Sequence, residues 1–135
     1  MKSGSIDHVG LAVNSLAEAG DLYQLLGLGL EHQETHKTEG VKVAIYGKDG
    51  GRIELLEPLS GSSTIARYLK THGEGIHHVA IVVQDLEETL TDCEAVGRDI
   101  VGEIRIGVGG KRVAFLHPKS TGGVLVELVE AVKQD

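Results

Sequence analysis

Hydrophobic residues alternate in the opening segment. From Ile6 to Val13, the side chains Val9, Leu11 and Val13 fall on one parity and His8, Gly10 and Ala12 on the other. That two-residue period predicts a strand packed on one face. The stretch from Ile76 to Val83 behaves alike: Val79, Ile81 and Val83 alternate with His78, Ala80 and Val82. After each stretch the period turns helical. Ser15 and Asp85 are candidate N-caps, each with a carboxylate three positions on, Glu18 and Glu88. The two helices are expected to end near Leu26-Gly27 and Val96-Gly97, where glycine suits a C-terminal cap. Lys48-Asp49-Gly50-Gly51 is a hairpin signal, and Gly107 to Gly110 and Ser120 to Gly123 predict turns of the same kind. Between the halves, residues 58–75 form a linker, with one short helix expected from Ser62 to Lys70.

These stretches repeat. Ile6 to Val13 matches Ile76 to Val83, and Lys42-Val43-Ala44-Ile45 matches Arg112-Val113-Ala114-Phe115. Arg52-Ile53-Glu54-Leu55-Leu56-Glu57 matches Leu125-Val126-Glu127-Leu128-Val129-Glu130. Three matches in one order and at nearly one spacing mark a duplicated module. Each copy reads as strand, helix and three strands. The expected fold is therefore α+β, two tandem βαβββ modules at residues 4–60 and 74–131 within one domain, 1–135.

The duplication decides the chemistry. His8 and His78 sit beside small residues on the strand faces away from the helices. Glu54 lies opposite Ile53 and Leu55 in parity, and Glu127 opposite Val126 and Leu128. A carboxylate in an apolar strand is costly to bury unless something neutralises it. A lone histidine or glutamate in a strand is ordinarily structural, but here both recur at equivalent places. A pseudo-twofold would bring His8, Glu54, His78 and Glu127 around one divalent metal ion. Two imidazoles and two carboxylates suit Co, Zn, Ni, Mn or Fe, with coordination positions left for water or substrate. His77 has the other parity and aligns with Asp7, so its expected role is structural. His32, His36, His72 and His117 lack partners in the other copy. Cys93, in the second helix, is expected to be a buried small residue.

Composition narrows the partners. Acidic residues number 20 against 13 basic ones, a net charge of −7, which disfavours nucleic acid. Aromatic residues make up 3% and Trp is absent, so base-stacking surfaces are not expected. The single cysteine excludes an intrachain disulfide and points to a reducing cytoplasm. Neither a targeting segment nor a membrane-spanning run is visible, so no membrane partner is expected.

Asp7-His8-Val9-Gly10, Glu54 to Leu59, Ile65 to Leu69, Gly75 to Ala80, Gly110 to Lys119 and Gly122 to Leu128 resemble the methylmalonyl-CoA epimerase family. That family belongs to the vicinal-oxygen-chelate superfamily of glyoxalases and bleomycin-resistance proteins. The resemblance implies a curved mixed sheet around one metal site, with His8, Glu54, His78 and Glu127 on the ligand positions. It implies an acyl-CoA thioester substrate, a homodimer, and inversion of the carbon between thioester and carboxylate through an enolate. Glu127 would carry one proton. The second carrier would be Glu39, which here precedes Gly40-Val41 directly, where the family more often has one residue between. Lys111, Arg112, Lys119 and Arg52 are candidates for the CoA phosphates. Glyoxalase I is the alternative enzyme with a similar ligand set. A drug-binding resistance protein of the same fold would need no such quartet and would present more aromatic side chains.

Overall fold

The computed structural model describes residues 4–48 and 50–132. Among them the order of elements is β1 (Ser5–Ala12), α1 (Leu16–Leu25), β2 (Leu30–His36), β3 (Val41–Lys48), β4 (Gly51–Pro58), α2 (Thr64–His72), β5 (Gly75–Val83), α3 (Leu86–Ala95), β6 (Ile100–Ile106), β7 (Arg112–Leu116) and β8 (Val126–Glu130). The βαβββ order appears twice, with α2 between the copies. Contacts group His8–His77 into one compact unit, and the chain from His78 onward with the residues before His8 into another. The start of β1 therefore belongs to the second unit, where Asp7 lies 3.9 Å from Lys111 Nζ.

In the His8–His77 unit, β1 pairs parallel with β4, β4 antiparallel with β3, and β3 antiparallel with β2. Helix α1 covers the odd-parity face. Val13, Leu16, Ala44, Tyr46 and Leu55 form the core there, with Leu11, Tyr23 and Ile53 packed against it. The other unit repeats the plan. There β5 pairs parallel with β8, β8 antiparallel with β7, and β7 antiparallel with β6. Leu86, Leu90, Ala114, Leu116 and Leu128 form its core beneath α3, joined by Ile81, Val83 and half-buried Cys93. Cys93 thus packs as a small apolar residue.

The helix ends follow the local sequence. Ser15 Oγ accepts the Glu18 amide at 3.2 Å, and Asp85 Oδ1 accepts the Glu88 amide at 2.9 Å. At the far ends, Gly27 (φ 95°) donates to Gln24 O while Leu28 donates to Tyr23 O; Gly97 (φ 82°) donates to Glu94 O while Arg98 donates to Cys93 O. Both are Schellman closures, which need a left-handed residue that glycine supplies. A second carboxylate serves each helix start. Glu57 Oε1 accepts the Leu16 amide at 3.0 Å, and Glu130 Oε2 accepts the Leu86 amide at 2.9 Å. A negative charge at the helix N-terminus is favourable. Asp85→Ala is expected to cost about 1 kcal/mol in urea denaturation, because one amide loses its side-chain acceptor.

Two expectations need correcting. The linker helix starts two residues late, since Ser63 rather than an earlier serine caps it through the Ala66 amide. The segment around Ser120 to Gly123 is not a tight hairpin. A 3₁₀ turn at Pro118–Ser120 intervenes, capped by His117 Nδ1, and β8 begins only at Val126. Lys48 pairs with Gly51 across a turn that includes Asp49, which lies outside the described residues, and Gly107 donates to Lys111 O around a 3₁₀ turn at Val108–Gly110. Among the described residues, no helix is long and apolar enough to cross a membrane.

Candidate active site

Strand parity places each predicted ligand on the face opposite its helix. In the first unit, Glu54 stands between Gly10 on β1 and Ile45 on β3 in the pairing register. Gly10 has no side chain, so His8, two residues before it on the same face, can lean towards the carboxylate. His8 Nε2 lies 3.5 Å from Glu54 Oε2, with both side chains about 95% buried, at 6% and 5% exposure. In the second unit, Glu127 stands between Ala80 on β5 and Phe115 on β7. His78 Nε2 lies 3.1 Å from Glu127 Oε1, with exposures of 5% and 10%. Ala80, Val113 and Val129 pack beside that pair, with Phe115 against them. Each unit therefore holds one buried imidazole–carboxylate pair on an apolar face.

The donor spacing fits a metal. Donors about 2.1 Å from one ion sit about 3.0 Å apart at octahedral edges and about 3.4 Å apart at tetrahedral ones. The observed 3.1 and 3.5 Å lie in the range that donors sharing one ion span, and equally in that of a direct imidazole–carboxylate contact. Nitrogen and oxygen donors of this kind take first-row divalent ions.

Glu39 lies in the turn between β2 and β3 and is half-buried. Its amide donates to His36 Nδ1 at 3.3 Å, and Gly40 at φ 70° completes the turn by donating to Lys37 O. The β-bulge in this hairpin lies between Leu30 and His32, at the other end from Glu39. The remaining histidines hold local structure. His32 meets Glu34, and His72 and His77 stack on and abut Tyr68. Three of the four candidate phosphate contacts engage carboxylates. Arg52 grips Glu31 with two hydrogen bonds at 2.7 and 3.1 Å, and Lys111 approaches Asp7. Arg112 binds Glu87 and Glu130, which hold its guanidinium above its ordinary pKa. The roles of Glu57 and Glu130 were not legible beforehand, although the repeat shows both residues.

Two βαβββ units, each with a buried His–Glu pair, define a glyoxalase-type protein. A family profile described as the Glyoxalase/Bleomycin resistance protein/Dioxygenase superfamily matches residues 7–115. The chain belongs to that superfamily, and within it to the methylmalonyl-CoA epimerase group. It is 37% identical to the human protein named "Methylmalonyl-CoA epimerase, mitochondrial", over 95% of this chain and 74% of that one. The solved methylmalonyl-CoA epimerase of Mycobacterium tuberculosis superposes with a TM-score of 0.89 at 38% identity, covering 96% of this chain and 89% of that one. A variant of the Streptomyces coelicolor methylmalonyl-CoA epimerase in complex with 2-nitronate-propionyl-CoA gives 0.88 at 34% identity, covering 96% and 98%.

Proposed function

We propose that this chain is a methylmalonyl-CoA epimerase that holds one divalent metal through His8, Glu54, His78 and Glu127. The observation that carries this reading is the buried His–Glu pair repeated in both units, with its partners 3.5 and 3.1 Å apart. The relatives carrying that name support the substrate class, and the acyl-CoA analogue bound to one of them supports a CoA thioester partner. When bound, the ion polarises the thioester carbonyl and neutralises negative charge that develops on it.

The chain's own carboxylates move the protons. The Glu127 carboxylate takes the α-proton from one face of the carbon between thioester and carboxylate. The electron pair of the broken C–H bond passes into an enolate. Glu39, acting in its carboxylic-acid form, gives its proton to the opposite face, the new C–H bond has the inverted configuration, and Glu127 then loses its proton to solvent while Glu39 regains one. Apolar walls formed by Ala80, Val113, Phe115 and Val129 keep water from the Glu127 pair and strengthen its interactions. Cytoplasmic location and a homodimer complete the proposal. Exposed Ile6 and Ile76, at 58% and 61%, offer apolar area for self-association.

The test is incubation of cobalt-loaded protein with (2R)- or (2S)-methylmalonyl-CoA in deuterium oxide. Inversion with solvent deuterium at the α-carbon is expected. In Glu39→Gln, exchange from one face should continue while inversion slows by about 10²-fold or more. Loss of both exchange and inversion in Glu39→Gln would place Glu39 elsewhere in the cycle. Failure of the metal-loaded wild type to exchange or invert would sink the epimerase reading in favour of a glyoxalase I-type isomerase.

A further inference from the structure

Glu127 has one polar side and one apolar side. On the β5 side, His78 Nε2 lies 3.1 Å from its carboxylate. On the β7 side, Phe115 stands directly opposite it in the register, and two residues along the same face Val113 pairs with Val129. Val113, Val129 and Ala80 form a buried apolar cluster, and Phe115 packs against it. The equivalent place in the first unit is filled differently. Ile45 stands opposite Glu54 there and is itself buried. Phe115, the chain's one phenylalanine, is only half-buried. Its ring therefore leaves apolar surface uncovered beside the carboxylate.

That ring is held in place. The Arg105 guanidinium carbon lies 5.1 Å from its centroid, and His78 meets it edge-on, with centroids 6.4 Å apart and planes at 85°. Packing on more than one side fixes a side chain in one rotamer, so the space beside it does not stretch. An α-carbon that gives its proton to Glu127 has three other bonds, all directed away from that carboxylate. Two lead to the thioester and the free carboxylate, whose oxygens go with the polar donors around His78. The third leads to the α-alkyl group. The wall of Phe115, Val113 and Val129 is the apolar surface left for it.

Resting on the epimerase reading, we infer that Phe115 limits the size of the α-alkyl group, so that the site takes methylmalonyl thioesters and rejects longer-chain alkylmalonyl ones. A methyl group lies against the ring, whereas a longer chain runs into it. Forcing extra methylenes into a rigid, packed wall weakens binding. A single methylene misfit in an apolar pocket is worth about 10- to 200-fold in selectivity. Phe115 is a specificity-determining residue and moves no proton.

The test reads binding rather than turnover. Calorimetry of the cobalt-loaded protein compares racemic methylmalonyl-CoA with racemic butylmalonyl-CoA; with both epimers supplied, epimerisation adds little heat. The wild type is expected to bind the methyl compound about 10-fold or more tightly than the butyl one. Phe115→Ala should bring the two affinities within about threefold, chiefly by strengthening butylmalonyl-CoA. Phe115→Leu, the milder change, should fall between. Protein lost to misfolding lowers the stoichiometry and leaves the ratio of affinities untouched. A ratio unchanged in both variants would overturn the inference. An equal loss for both thioesters would do the same, since it would confine the ring to supporting His78, and so would a wild type without preference. Failure of the wild type to invert methylmalonyl-CoA strikes the epimerase reading instead, and that is read in the separate deuterium assay.

Discussion

Glu127→Gln is expected to lower kcat for epimerisation by roughly 10³-fold, with KM within about threefold of wild type and cobalt still bound. The amide keeps an oxygen donor for the metal but cannot take up the α-proton. The repeat makes a sharp control available. Glu54 occupies the equivalent position, facing His8 at 3.5 Å as Glu127 faces His78 at 3.1 Å. If Glu54 only ligates, Glu54→Gln should retain kcat within about 10-fold, because ligation by the amide oxygen survives. Single-turnover exchange in deuterium oxide separates the two variants directly. Equal losses in both would mean that the damage is to metal binding, and the assignment of Glu127 as proton carrier would fall. What breaks the symmetry in the structure is the wall beside each carboxylate. Glu127 stands between Ala80 and Phe115, whereas Glu54 stands between Gly10 and Ile45.

The His–Glu pairs were legible because two periodicities agree. Strand parity separated His8 from Val9 and Glu54 from Leu55, and duplication then repeated the separation at His78 and Glu127. Leu55 does lie in the helix-side core, and Glu54 on the opposite face. Helix ends were legible for the same local reason, since Gly27 and Gly97 supply the positive φ that each closure requires. Segments without a period were harder to place. Ser60-Gly61-Ser62-Ser63 offers several capping side chains, and the choice of Ser63 depends on where α2 docks. The turn that holds Glu39 depends on the His36 imidazole accepting its amide, a contact between residues with no counterpart in the second copy.

Gly47→Ala is expected to be strongly destabilising, costing about 3 kcal/mol and lowering Tm by roughly 10 °C. Gly47 has φ 101°, and a Cβ built there would lie 2.1 Å from Gly51 O on the paired strand. That oxygen is backbone, held in the β3–β4 ladder, so it cannot turn aside as a side chain would. The amide of Gly47 also donates to Gly29 O at 2.8 Å, which ties the strand to the segment following α1. Gly50, in the same hairpin, supplies the comparison. It has φ 84°, yet a Cβ there meets nothing within 4 Å. Gly50→Ala therefore bears only the conformational cost of a left-handed alanine, about 1 kcal/mol. The difference between the two variants in thermal denaturation isolates the steric contribution. Because β4 carries Glu54, Gly47→Ala should also weaken cobalt binding, whereas Gly50→Ala should leave it unchanged. Equal melting temperatures for the two variants would show that the β3–β4 ladder yields at Gly51, and that Glu54 stands on a more pliable strand than its burial suggests.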